Sequence, residues 1–103
     1  MDGFYKSPRW QRLRAAILRR DGYMCQESKR FGKRRDADTV HHVFPRDLFP
    51  EYQWEPWNLI ALAADVHDMM HDRQSGALTE QGKQLLRRVA RRQGVEVPER
   101  YRE

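Results

Sequence analysis

Thr39-Val40-His41-His42-Val43-Phe44-Pro45 and, downstream, Val66-His67-Asp68-Met69-Met70-His71 decide the reading of this chain. All four of its histidines lie in these two stretches. The first is rich in β-branched and aromatic residues and is closed by a proline, so residues 39–44 are predicted to form a strand. Successive strand side chains point to opposite faces, which gives His41 and His42 different tasks unless a bend turns them together. His67 and His71 are four apart. On a helix that spacing puts both imidazoles on one face, one turn from each other, as in a pair that chelates a divalent metal. A solitary His-x-x-x-His pair arises by chance on many helices. The His-His upstream, with no histidine elsewhere, is what turns the reading toward metal.

Outward from this centre the pattern is helical on both sides. Ser7-Pro8 supplies an N-cap and a first-turn proline, and Trp10, Leu13 and Ile17 recur on one face, predicting a helix over 8–20 ended by Asp21-Gly22. Residues 1–6 read as a loose arm. Residues 23–38 are polar and very basic, with a turn at Gly32. Residues 46–56, with Pro50 and Pro56, read as a loop. Residues 57–72 read as a helix, or as a short strand running into one. Ser75-Gly76 is a break. Thr79 and Glu80 open a last helix to Gln93, with Leu85, Leu86 and Val89 on one side and Gly94 closing it. The tail 95–103 is expected to be loose.

Thr39–Pro45, then Trp57-Asn58-Leu59-Ile60-Ala61-Leu62, then His67–His71 together resemble the HNH motif of the His-Me finger (ββα-metal) nucleases. His42 to Asn58 spans 16 positions, Asn58 to His67 spans 9 and His67 to His71 spans 4. These gaps are similar to those of colicin-type DNases and phage-encoded HNH endonucleases. Phe4-Tyr5-Lys6-Ser7-Pro8-Arg9-Trp10 and Leu18-Arg19-Arg20-Asp21-Gly22-Tyr23-Met24-Cys25 resemble the phage branch in particular. The resemblance covers residues 4–73. It implies an α+β fold: a small ββα-metal core with flanking N- and C-terminal helices, in one nuclease domain over 1–103.

The resemblance also implies chemistry. Phosphodiester hydrolysis requires that water lose a proton and that charge on phosphorus and on the leaving 3′ oxygen be neutralised. An imidazole suits the first task near neutral pH, and by resemblance His42 is that general base. His41, where many relatives have Asp, would bind one divalent metal with His67 and His71. Three neutral nitrogens favour Mn, Ni, Co or Zn over Mg. Asn58 either binds metal or braces the loop that holds the base; bracing is favoured, because three histidines already fill the metal's protein side, and a helix N-cap is the bland alternative. Arg46 and Arg73 flank the motif and are the expected phosphate contacts. Double-stranded DNA, read with low sequence specificity and nicked one strand at a time, is the implied substrate. Phage relatives often act beside the terminase, so the resemblance extends to that partner.

One departure is informative. Many phage-type members hold a structural zinc with two Cys-x-x-Cys pairs, at positions that are Cys25, Ser28, Ala63 and Val66 here. One thiolate cannot hold zinc tetrahedrally, so that ion is expected to be absent. A lone cysteine also excludes an internal disulfide.

Composition agrees with a polyanionic partner. The formal charge is +5, with 34% charged residues. No apolar run approaches the roughly 20 residues needed to span a bilayer, and no signal peptide opens the chain, which suits a cytoplasmic protein without a membrane partner. Two other readings compete. A zinc peptidase would need Glu after the first histidine of the pair, where Asp68 stands. A non-catalytic DNA-binding module would use the four histidines for structural zinc, which strand alternation of His41 and His42 opposes.

Overall fold

Ser7 starts the first helix through its side chain. Its Oγ accepts the Trp10 N–H at 3.1 Å and donates to the Phe4 carbonyl at 2.7 Å. The computed structural model, which describes residues 3–103, places helix α1 at Pro8–Arg20. Trp10 and Ile17 are buried on the predicted stripe, with Leu13 packed against the same core. Asp21 caps the C-terminus, and Gly22 takes the left-handed φ of 65° that only glycine adopts without strain. Arg20 and Asp21 then tie α1 to the centre: Arg20 donates to the carbonyls of Pro56 and Leu59, and Asp21 accepts the Ala61 N–H.

The centre is a two-stranded antiparallel sheet. Strand β1, Thr39–His42, pairs with β2, Leu59–Leu62, in the register Thr39↔Leu62 to His42↔Leu59. Helix α3, Ala64–Asp68, follows β2 after one residue, so the order is ββα within an α+β fold. The expected strand over 39–44 ends two residues early. Val43 still donates to the Asn58 carbonyl, but the Phe44 N–H goes to the Asn58 side chain, so a side chain replaces the ladder there. The loop between the strands contains two short 3-10 turns, Pro50–Tyr52 and Pro56–Asn58. Of the two readings of 57–72, the strand running into a helix is the one observed.

Helix α4, Glu80–Gln93, has Thr79 as N-cap and Gly94 as its left-handed C-cap. Leu85, Leu86, Val89 and Ala90 are buried along it. Four sequence expectations need correction. The basic stretch 23–38 contains helix α2, Gln26–Arg30, whose five residues carry no apolar period; an ion pair from Glu27 to Arg88 of α4 holds it. The arm is not loose where it is described: Phe4–Lys6 form a 3-10 turn and Phe4 is buried, while Met1 and Asp2 lie outside the described residues. The tail 95–103 is tied down, because Arg87 donates to the Tyr101 carbonyl at 2.6 Å and Tyr101 is buried. The last helical turn expected around His71 is missing, as described below. No helix among the described residues is long and apolar enough to cross a membrane.

Cys25, Ser28, Ala63 and Val66 are all buried, and three of the four offer no ligand that could hold zinc beside Cys25. The neighbourhood is joined in other ways. Cys25 N–H donates to the Arg35 carbonyl at 2.8 Å, and the Arg35 guanidinium makes two bonds to the Asp65 carboxylate at the start of α3. That pair is exposed, so apolar burial outweighs it in energy. The chain is therefore expected to melt cooperatively in excess EDTA by circular dichroism; unfolding in EDTA with recovery on adding metal would contradict this packing.

Gly82 lies where α4 crosses the segment after α3. A Cβ there would meet the Met70 carbonyl oxygen at 2.5 Å and Leu78 Cδ2 at 2.9 Å. Ala gains about 1 kcal/mol over Gly in a helix, whereas overpacking against fixed backbone costs about 1–3 kcal/mol. Gly82→Ala is expected to lower the melting temperature, opposite to helix propensity. A raised value would show that the contact yields.

Candidate active site

His41 lies on β1 opposite Ile60, with its side chain 1% exposed. α3 packs on β1 from this side and delivers His67. His71 arrives differently from the expected i, i+4 helical pair. α3 ends at Asp68, and the chain tightens as Met69 and Met70 donate to Val66 and His67. Thr79 then fastens the turn: its N–H bonds the Met70 carbonyl and its hydroxyl the Met69 carbonyl at 2.6 Å. His71 sits past this turn in an isolated bridge to Leu78. The cap of α4 thus helps to set the position of a histidine that the sequence places on a helix.

The three rings form a nearly equilateral triangle, with centroids 5.1 Å apart for His41–His67, 5.3 Å for His41–His71 and 5.6 Å for His67–His71. One ring nitrogen from each lies within 4.8 Å of the others. Both ring nitrogens of His41 are buried without a hydrogen-bond partner. Each such orphan costs about 1–3 kcal/mol, and a divalent cation at the centre of the triangle would satisfy one of the two. Burial pushes the His41 pKa well below the ordinary histidine value, with His67 and His71 adding to the effect. Burial also lowers His67 and His71. All three are therefore neutral at neutral pH, the form in which imidazole ligates metal. The residues present fit one metal ion, held by three nitrogens with further positions left open.

His42 turns the other way. Its ring stacks on Trp10 of α1 at 5.2 Å and 20°, with Phe4 and Tyr5 close by. Its Nε2 lies 3.1 Å from the Gln53 carbonyl oxygen. A carbonyl only accepts, so Nε2 carries the proton and the neutral ring presents a lone pair at Nδ1. Burial lowers the His42 pKa, the Gln53 carbonyl opposes this, and the nearby Arg46 charge lowers it further. The alternation of the strand thus separates the two histidines, one toward α3 and one toward α1. Both still line one cleft of about 630 Å³, together with His67, His71 and Arg46.

Asn58 is 0% exposed and does not line the cleft. Its Oδ1 accepts the Phe44 N–H at 2.7 Å, and its Nδ2 donates to the carbonyls of Phe44 at 3.3 Å and Tyr52 at 3.2 Å. It closes the loop that carries Gln53 and is not a helix N-cap; it ends the Pro56–Asn58 turn. Arg46 bonds the Gln53 side chain at 3.2 Å. Arg73 is exposed and lies outside the lining of the cleft. Sequence reasoning missed Arg14, a cleft residue on α1 whose guanidinium bonds the Asp38 carbonyl. It also missed Gln53, which acts through its backbone and so left no side-chain signal.

No family model matches the chain, and no curated protein matches it. Among solved structures, the HNH endonuclease of deep-sea thermophilic bacteriophage GVE2, determined with manganese ion, is similar to it with a TM-score of 0.62 and 32% identity. The match covers 64% of this chain and 72% of the phage protein.

Removing one nitrogen from the triangle should weaken metal binding. Isothermal titration with Mn is expected to show weaker binding for both His67→Ala and His71→Ala; unchanged affinity in both variants would refute this cluster as the metal site.

Proposed function

This chain belongs to the HNH endonuclease family, and from that membership and the cleft geometry we propose that it is a metal-dependent endonuclease hydrolysing DNA phosphodiester bonds, with His42 as general base. The observation that carries this reading is the pairing of two neighbours on one strand. His42 is locked by the Gln53 carbonyl in the tautomer with a free Nδ1, and beside it His41 closes a triangle of neutral imidazoles.

The residues divide the work. A water molecule in the cleft gives its proton to His42 Nδ1 as its oxygen bonds to phosphorus, and the bond from phosphorus to the 3′ oxygen breaks. The Trp10 stack and the Gln53 bond hold the ring and leave Nδ1 as its proton acceptor. Asn58 keeps the Gln53 loop in place. Arg46, which lines the cleft, would meet a phosphate oxygen. His41, His67 and His71 would hold the metal, which when bound supplies positive charge to the phosphoryl and leaving oxygens. Three imidazoles suit Mn, Ni, Co or Zn better than Mg, a hard ion that prefers oxygen ligands.

One proposed base and one candidate metal position among the described residues imply one cut per encounter. Supercoiled plasmid in Mn is expected to become open circle before any linear form appears, with Mg supporting less cleavage. His42→Ala should lose at least ~10²-fold in rate while still binding Mn and DNA. Near-normal cleavage by that variant, or casein hydrolysis in place of plasmid nicking, would overturn this function.

A further inference from the structure

Beside the cleft, four side chains form a continuous stack of cation and ring. The Arg9 guanidinium lies 4.0 Å from the Trp54 ring centre. Trp54 packs on Phe4 with centroids 4.5 Å apart. The Arg46 guanidinium in turn lies 3.9 Å from the Phe4 ring centre. Arg46 reaches Gln53, the residue that orients His42. One train of contacts therefore leads from the first turn of α1 to the proposed base. A groove of about 560 Å³, lined by Phe4, Ser7, Gln53 and Trp54, joins the cleft along Arg46 and Asp47, which line both.

Arg9 is unlike most of the arginines whose contacts are fixed. Arg20, Arg35, Arg87, Arg88 and Arg102 are each paired to a carboxylate. Arg9 is exposed, and among the described residues it makes no ion pair or hydrogen bond; a ring face alone holds it. A guanidinium stacked on an aromatic ring loses little further freedom on binding and still offers its fork of donors to a phosphate.

We propose that Arg9, held over Trp54, is a second phosphate contact for the DNA strand that enters the cleft past Arg46. The proposal rests on the reading of the cleft as a phosphodiester site. The two guanidiniums are separated by two stacked rings, so they meet the strand at different points. Asp47, which lines both groove and cleft, disfavours phosphate in its immediate vicinity.

The test is fluorescence anisotropy of a short labelled duplex in EDTA at several KCl concentrations, on proteins shown to be folded by circular dichroism. Each lost phosphate contact lowers the slope of log affinity against log salt by about 0.9. Arg9→Ala should lower the slope by that amount and weaken binding equally for two unrelated sequences. Arg9→Lys should keep the slope, and so should Arg19→Ala, which removes an exposed charge from the same helix. Trp54→Ala should weaken binding, with little further loss when combined with Arg9→Ala. If Arg9→Ala disturbs folding, Arg9→Gln retains the stem over Trp54 and replaces it. An unchanged slope for the Arg9 variant, or an equal drop for Arg19→Ala, would overturn the proposal. Wild-type protein that shows the Arg9-dependent slope yet cuts DNA in no metal would overturn the nuclease reading alone. Protein that nicks plasmid while Arg9 leaves the slope untouched would overturn the second contact alone.

Discussion

The Asn58 amide is the constraint on which the site depends. The chain leaves β1 at His42 and returns at Leu59, after a connection with little regular structure. Such a loop would carry unsatisfied backbone groups into the core unless something bonded them. One side chain meets three of them, the N–H and carbonyl of Phe44 and the carbonyl of Tyr52. The residue after Tyr52 is Gln53, whose carbonyl holds His42. A fully buried amide in the second strand's approach thus determines how a histidine on the first strand presents its lone pair. Asn58 need not touch a reacting atom for its loss to disturb His42, the proposed base.

His41 shows the opposite logic. Among the described residues no other buried side-chain nitrogen or oxygen lacks a hydrogen-bond partner, yet both of its ring nitrogens are buried and unbonded. A sequence optimised only for folding would place an apolar residue at that position, beside Val40 and Val43. Local violations of packing rules concentrate at functional sites, because there the group is arranged for something other than stability. The aromatic neighbours of the His41 ring are the other two imidazoles, His67 and His71, and its strand partner is Ile60.

How much of this was legible depended on how local the cause was. α1 and α4 announced themselves through Ser7, Pro8, Thr79 and Gly94, because caps act within a turn and periodic apolar residues average over many positions. The histidine triangle was legible as a set, since residue type and order survive any error in secondary structure. Its geometry was not: the helical spacing of His67 and His71 suggested one helix, whereas Thr79, eight residues beyond His71, pulls the chain out of it. α2, the buried arm and the packed tail were invisible for the same reason. Each is held by a partner far along the chain: Glu27 by Arg88, Phe4 by Trp54, Tyr101 by Arg87. The Gln53 carbonyl could not be read at all, because every residue has one.

The positive charge also means something narrower than composition suggests. A net +5 invites a picture of a basic surface awaiting DNA. The structure uses much of that charge internally. Arg20 bonds Asp21 and two carbonyls that bring α1 to the sheet, Arg87 links Glu80 to the tail, and Arg88 fastens α2 to α4. Arg14 bonds the Asp38 carbonyl at the entry to β1. Guanidinium suits this role because its planar fork can meet several acceptors at once and it stays charged when half-buried. In a small domain with few aliphatic residues, arginine therefore substitutes for part of the missing core. Many cations remain on the surface, but two beside the cleft, Arg9 and Arg46, are set over aromatic rings. A basic count is then a poor guide to where a polyanion binds; the position of the rings that carry the guanidiniums is the better one.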